Sequence, residues 1–216
     1  MTNSEFGQFH TCVTIPYSFS AVRIMDTHIS ASEFNLEIGI MSKPIEDSAA
    51  RAALGFNKIR TWLEIALNDT VMVHYDSIFV DALEEDVDNV LFKTPGEPDD
   101  VMVSILLLSK LRAIAGDHLT VFNLTVSSGD TGNMKRLVAG DLDGMLPGIE
   151  YLGEPAAYSE PWWERGTIET VDFTKVDRED EHFEEMVASD PMKEIEKIFL
   201  NKEADVISMD TWKPEK

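Results

Sequence analysis

The sequence predicts an α+β fold, in which a mixed or mainly antiparallel sheet carries two principal helices on one face and an irregular, partly helical C-terminal arm follows. Three observations predict it. Three strand-like stretches open the chain, two long stretches with helical periodicity follow, and a pair of strands around a Gly-rich loop closes the core. A doubly wound parallel sheet would need regular alternation of strands and helices, and this order does not alternate.

The opening stretches are rich in aromatic and β-branched residues. Pro16 and Tyr17 lie between the first two and predict two strands joined by a tight turn. The third stretch alternates apolar residues with polar or small ones, which indicates one buried face. The three predicted strands are residues 8–15, 18–25 and 33–41, and the alternating apolar residues of the third are Phe34, Leu36, Ile38 and Ile40.

The first helix is predicted after Pro44 and ends near Leu67, before Asn68 and Asp69. Apolar residues three and four positions apart form one stripe along it. A strand is expected next, over residues 70–80. The stripe consists of Ala52, Phe56, Ile59, Leu63 and Ala66.

The second helix is predicted from about Glu97 to Ala115. Thr94 and Glu97 have capping-box spacing, and Gly116 suits the C-terminal cap. Apolar residues surround most of this helix, so we expect it to be the central helix of the core.

A hairpin over residues 118–126 and 133–139 completes the predicted core. Its loop, residues 127–132, lacks the lysine and the following helix of a phosphate-binding loop. After residue 140 the sequence shows no regular helix or strand periodicity, and we expect only short helices, near 180–188 and from Asp190. The sequence therefore predicts a core domain over residues 1–140 and an acidic arm over 141–216, docked on the core or on a neighbouring subunit.

Charge is the strongest functional signal. The chain has 40 acidic residues against 18 Lys and Arg, a formal net charge of −22 in 216 residues. Such a surface repels nucleic-acid backbones and anionic lipids and attracts basic partners, so neither direct nucleic-acid binding nor membrane binding is expected. The 44% hydrophobic content still indicates a folded protein.

Residues 41–100 and 151–216 supply −18 of the −22, and each of these stretches contains an acidic run. The first lies within residues 81–88 and the second within 177–185 of the arm. Each is interpreted either as a solvated surface or as a docking surface for a basic partner. The candidate partner-binding acids of the first run are Glu84, Glu85, Asp86 and Asp88.

A Trp pair in the arm is the other candidate contact. Trp162 and Trp163 lie beside Tyr158 and Arg165 in a segment without a regular pattern. Two adjacent tryptophans on an extended chain would point in opposite directions, so we expect at least one to meet another surface. Trp and Arg are common interface anchors. The alternative is that the arm packs back on its own domain.

No motif supports catalysis or a cofactor. The five histidines have no metal-site spacing, and the residues around Asp141 and Asp143 lack the order of a calcium loop. We therefore expect no metal and no cofactor. The single cysteine, Cys12, and the absence of a signal-like N-terminus favour a reducing, cytoplasmic location.

Three functions stay open. The first is a non-catalytic interaction or assembly protein with an acidic, Trp-bearing arm. The second is an inhibitor that acts as an acidic mimic of nucleic acid, and the third is a small hydrolase with a carboxylate or histidine site that the sequence does not reveal. The interaction protein agrees best with the charge and the Trp pair.

Overall fold

A computed structural model of the chain describes residues 12–42, 48–86, 91–148, 151 and 160–167. A π-helical turn, Leu63–Leu67, continues the first helix. In chain order the elements are β1 (Cys12–Ile24), β2 (Ile29–Ser42), α1 (Ser48–Trp62), β3 (Thr70–His74), α2 (Val80–Asp86), β4 (Leu91–Thr94), α3 (Asp100–Ala115), β5 (Leu119–Ser128) and β6 (Arg136–Ala139).

The strands form one mixed sheet in the order β4-β3-β1-β2-β5-β6. The pairs β1–β2, β2–β5 and β5–β6 are antiparallel, whereas β1–β3 and β3–β4 are parallel. The α+β class and the mixed sheet predicted from the sequence are therefore confirmed.

The predicted turn at Pro16 and Tyr17 is wrong. The structure has one continuous strand there, β1, and the reversal comes later, where the Met25 amide donates to the His28 carbonyl at 3.0 Å. Pro16 faces Glu37 across the β1–β2 ladder, but β3 pairs only with Ala21–Ile24. Proline is tolerated at such an edge because, among the described residues, no strand on the outer side of β1 needs a hydrogen bond from this position.

The predicted strand over residues 70–80 is too long. β3 ends at His74, where the Ser77 amide donates to the His74 carbonyl at 2.9 Å and closes a turn before α2. The sequence pattern did not predict β4, which has only four residues. It also placed the cap of α3 wrongly, since Thr94 ends β4 and Asp99 caps the helix by accepting from the Met102 amide at 2.7 Å.

The two long helices pack on one face of the sheet, as predicted. α3 contributes more buried residues than any other helix and forms one hydrophobic core with α1 and the alternating residues of β2. Gly116 ends α3 with a φ of 50°. Phe56 is the exception in the predicted α1 stripe, because it is 37% exposed.

The opposite face of the sheet is covered at one end. There α2 packs Val80 and Leu83 against Ile24, Val71 and Val73, which form a second small core. Farther along, the side chains of β1 and β2 that point to this face are exposed, among them Thr14, Ser18, Glu33 and Asn35. We refer to this uncovered surface as the open face.

The predicted helices near 180–188 and from Asp190 lie outside the described residues, and the domain boundary at residue 140 stays a prediction. No helix in the described part of the chain is both long enough and apolar enough to cross a membrane.

Candidate functional site

Both tryptophans of the predicted contact are buried in the chain's own core. Trp162 and Trp163 have no exposed surface, so the expectation that at least one would meet another surface is wrong. The physical reason is a turn, in which the Glu164 amide donates to the Pro161 carbonyl at 3.0 Å and lets both rings enter the core. Their assignment as partner-binding residues stays a prediction.

A buried lysine holds this segment. Lys110 of α3 donates to the carbonyls of Trp162 and Arg165, each at 2.9 Å. The Trp162 indole donates to the Lys93 carbonyl at 2.9 Å, and its ring lies 4.8 Å from that of Phe92. This described part of the arm is thus docked on the core.

The remaining predicted contact residues divide by location. Arg165 is buried, and its guanidinium donates to the Glu160 carbonyl at 3.1 Å. α2 contains Glu84, Glu85 and Asp86, but the structure does not describe their side chains. It also does not describe Asp88 and Tyr158. The structure therefore does not bring the acidic run and the Trp pair together within its described residues.

The strongest buried electrostatic feature is a cluster around Arg23. Its guanidinium donates to Asp100 at 2.7 Å, and it also pairs with Asp130. Ser128 and Thr131 donate to the Asp100 carboxylate at 2.8 and 2.7 Å. The cluster joins β1, the first turn of α3 and the loop after β5.

This cluster is a structural lock. Arg23 is 2% exposed and Asp100 is 3% exposed, and the Arg23 guanidinium stacks over the Phe34 ring at 4.9 Å. Buried charges persist only when paired and hydrogen-bonded, and here both conditions hold. The sequence analysis missed it. The available signal was Arg23, the only basic residue among the first 40 and part of an otherwise uncharged strand.

Asp130 makes the lock sensitive to acid. Hydrogen bonding from Ser30, with a further contribution from Arg23, lowers the pKa of Asp130 from 3.8 to about 2. Because the folded pKa is below the unfolded one, its stabilisation is fully present above about pH 4 and is lost as the pH falls through about 2.

We expect Asp130→Asn to lower stability at neutral pH and to flatten the fall in stability between about pH 4 and 2. Urea unfolding across that range measures it, with Asp76→Asn on an exposed turn as the control. An unchanged slope in Asp130→Asn would show that the lock does not depend on this carboxylate.

The described residues show how the candidate metal ligands are arranged. No set of three His, Cys, Asp or Glu side chains suited to a metal occurs among the described residues. His74 ends β3 and His118 precedes β5, and these strands are separated in the sheet by β1 and β2. Asp141 and Asp143 lie in a turn, in which the Asp143 amide donates to the Asp141 side chain at 3.0 Å.

The outer edge of β1 is a different kind of site. Beyond the part paired with β3, residues 12–18 have β2 on one side and no strand among the described residues on the other. The Ser20 carbonyl accepts from the Asp69 amide at 2.8 Å, so the main chain of Ser20 points to this outer side. Alternation along a strand gives Thr14, Pro16 and Ser18 the same direction.

The free edge therefore offers a short row of main-chain groups. Thr14 and Ser18 each present an N–H and a carbonyl, and Pro16 presents a carbonyl alone. A strand edge with unpaired groups is a template for another strand. The missing N–H of Pro16 weakens pairing between identical copies, a common protection of exposed edges.

An apolar groove runs beside this edge. It has a volume of about 300 Å³ and lies between β1 and α1. Arg60 and Glu64, paired at 2.7 Å, are on the α1 side. The other lining residues are Ile15, Pro16, Tyr17, Phe56, Ile59 and Leu63.

The end of α1 fixes the groove in place. The Tyr17 hydroxyl donates to the Leu63 carbonyl at 2.7 Å, at the start of the π-helical turn. Burial, assisted by the negative charge of Glu64, raises the pKa of Tyr17, so the hydroxyl keeps its proton as a donor. The edge and the groove together form one surface, which we call the edge groove.

A comparison of the chain with models of known protein families and with curated proteins finds no match. The site is therefore interpreted from its geometry and charge.

Proposed function

We propose that this protein is a non-catalytic interaction protein that binds a positively charged segment of a partner at the edge groove. The free edge of β1 beside an apolar groove is the observation that carries this proposal. Strand addition to a sheet edge gives affinity through main-chain hydrogen bonds and specificity through side-chain pockets.

Charge decides between a foreign partner and a second copy. Two copies would each carry a net charge of −22 and repel one another, whereas a basic partner would be attracted. Pro16 adds a local obstacle to pairing of two identical edges. The proposal thus keeps the interaction role predicted from the sequence and moves its contact from the tryptophans to β1.

The test is selection of a displayed library of random linear peptides on the purified protein. We expect enrichment of peptides that contain Lys or Arg. For a selected peptide, Thr14→Pro should weaken binding about tenfold or more, because it removes the edge N–H and places a ring in the path of the added strand.

Thr14→Val is the matched control, since it changes the same side chain and keeps the N–H. Equal binding to both variants would contradict the proposal. Binding that disappears with salt but ignores Thr14→Pro would instead support the acidic mimic of nucleic acid.

A further inference from the structure

We infer that the ligand of the edge groove is an amphipathic strand, in which apolar residues alternate with Lys or Arg. The inference rests on the proposed function and defines the partner's chemistry. It follows from what lies on each side of the free edge, because side chains of an added strand point alternately to the two faces of the sheet.

The helix-facing side of the edge is apolar. Val13, Ile15 and Tyr17 point to this side, because they pair with the core-facing residues of β2. Val13 is 47% exposed and Phe56 of α1 is 37% exposed, so apolar surface remains uncovered along the groove. Alternate residues of an added strand would bury this surface. Each apolar side chain buried there contributes to affinity in proportion to its area.

The other side of the edge is polar and acidic. Thr14 and Ser18 are exposed there, and a hollow of about 600 Å³ opens just beyond them, where β3 begins beside β1. Two carboxylates line the hollow, Glu33 of β2 and Asp69 before β3. The aliphatic stems of Lys and Arg pack on apolar surface while their charged ends stay in polar surroundings. The apolar lining that would receive such a stem comes from Ala21, Val22 and Ala31.

Pro16 has no N–H, so Thr14 and Ser18 are the outward-facing residues of the free edge that can donate to an added strand. An added strand gains hydrogen bonds from the N–H and carbonyl of Thr14 and Ser18, and it donates to the carbonyl of Pro16. The ligand residue whose carbonyl faces Pro16 stays without a donor. Pairing with Thr14 and Ser18 sets the phase of the added strand, because a slip of one residue would exchange the side chains that enter the groove with those that face the hollow.

The test compares two synthetic peptides of equal composition and charge. One alternates lysine with valine, and the other has its valines in one block and its lysines in another. Binding is followed by NMR on the ¹⁵N-labelled protein. We expect the alternating peptide to bind at least about tenfold more tightly and to shift the Thr14 and Ser18 amides.

Two variants assign the two sides of the site. Phe56→Glu places a charge in the groove, and Glu33→Gln with Asp69→Asn removes the carboxylates of the hollow without changing its shape. Each should weaken the alternating peptide severalfold and leave the block peptide unchanged.

Equal binding of the two peptides at the β1 edge would overturn the inference and leave the proposed function intact. Binding of neither would also overturn it, while the library selection decides the proposed function separately. A dimer in light scattering that Thr14→Pro abolishes would overturn it in favour of a second copy.

Discussion

Replacing Arg23 by Met should destabilise the protein by about 3–5 kcal/mol, the usual range when one partner of a buried ion pair is removed. Asp100 is 3% exposed and would stay buried without its cationic partner. The hydroxyls of Ser128 and Thr131 would still donate to it. Urea unfolding at neutral pH measures the change.

Two further variants separate charge from packing. Arg23→Met combined with Asp100→Asn removes both charges and should recover part of the loss, because no unpaired charge stays buried. Arg23→Lys keeps the charge but loses the planar fork that reaches Asp100 and Asp130, so its loss should be intermediate. A loss below about 1 kcal/mol in Arg23→Met would contradict the role of the cluster as a structural lock.

Replacing Trp162 by Ala should lower the free energy of unfolding by about 3–5 kcal/mol, because a large buried side chain is lost. The ring has no exposed surface and packs against Phe92 and Trp163. Trp162→Phe keeps an aromatic ring and leaves the Lys93 carbonyl without the indole donor, at a cost of about 1–3 kcal/mol.

Phe56→Ala provides the comparison for an aromatic residue that is 37% exposed, and its loss of stability should be clearly smaller. Chemical unfolding of the three variants tests this order. If Trp162→Ala lost no more than Phe56→Ala, residues 160–167 would not be docked on the core in solution.

Local patterns in the sequence predict some elements of this fold and miss others. The alternation in β2 and the all-round apolar character of α3 are local signals, and both elements were predicted. β4 has four residues, too few for a periodic signal. Pro16 was interpreted as a turn residue because the sequence does not show that, among the described residues, no strand pairs with β1 on its outer side at this position.

The candidate site was hidden for a related reason. Nothing local in Thr14 or Ser18 shows that β3 pairs only with the last part of β1. The groove depends equally on the place where α1 crosses, since Phe56 reads as an ordinary member of its apolar stripe. The acidity can be read directly from the sequence, whereas the position of the edge groove depends on the order of the strands in the sheet.

The Arg23 lock also limits how early this fold can be completed during synthesis. Arg23 meets Asp100 and Asp130 across 77 and 107 residues of chain. β1 and β2 leave the ribosome long before those carboxylates exist, so the β1–β2 hairpin must wait with an uncompensated cation on its core-facing side. Contacts of such long range slow folding. During that interval the hairpin's exposed edges are open to premature pairing.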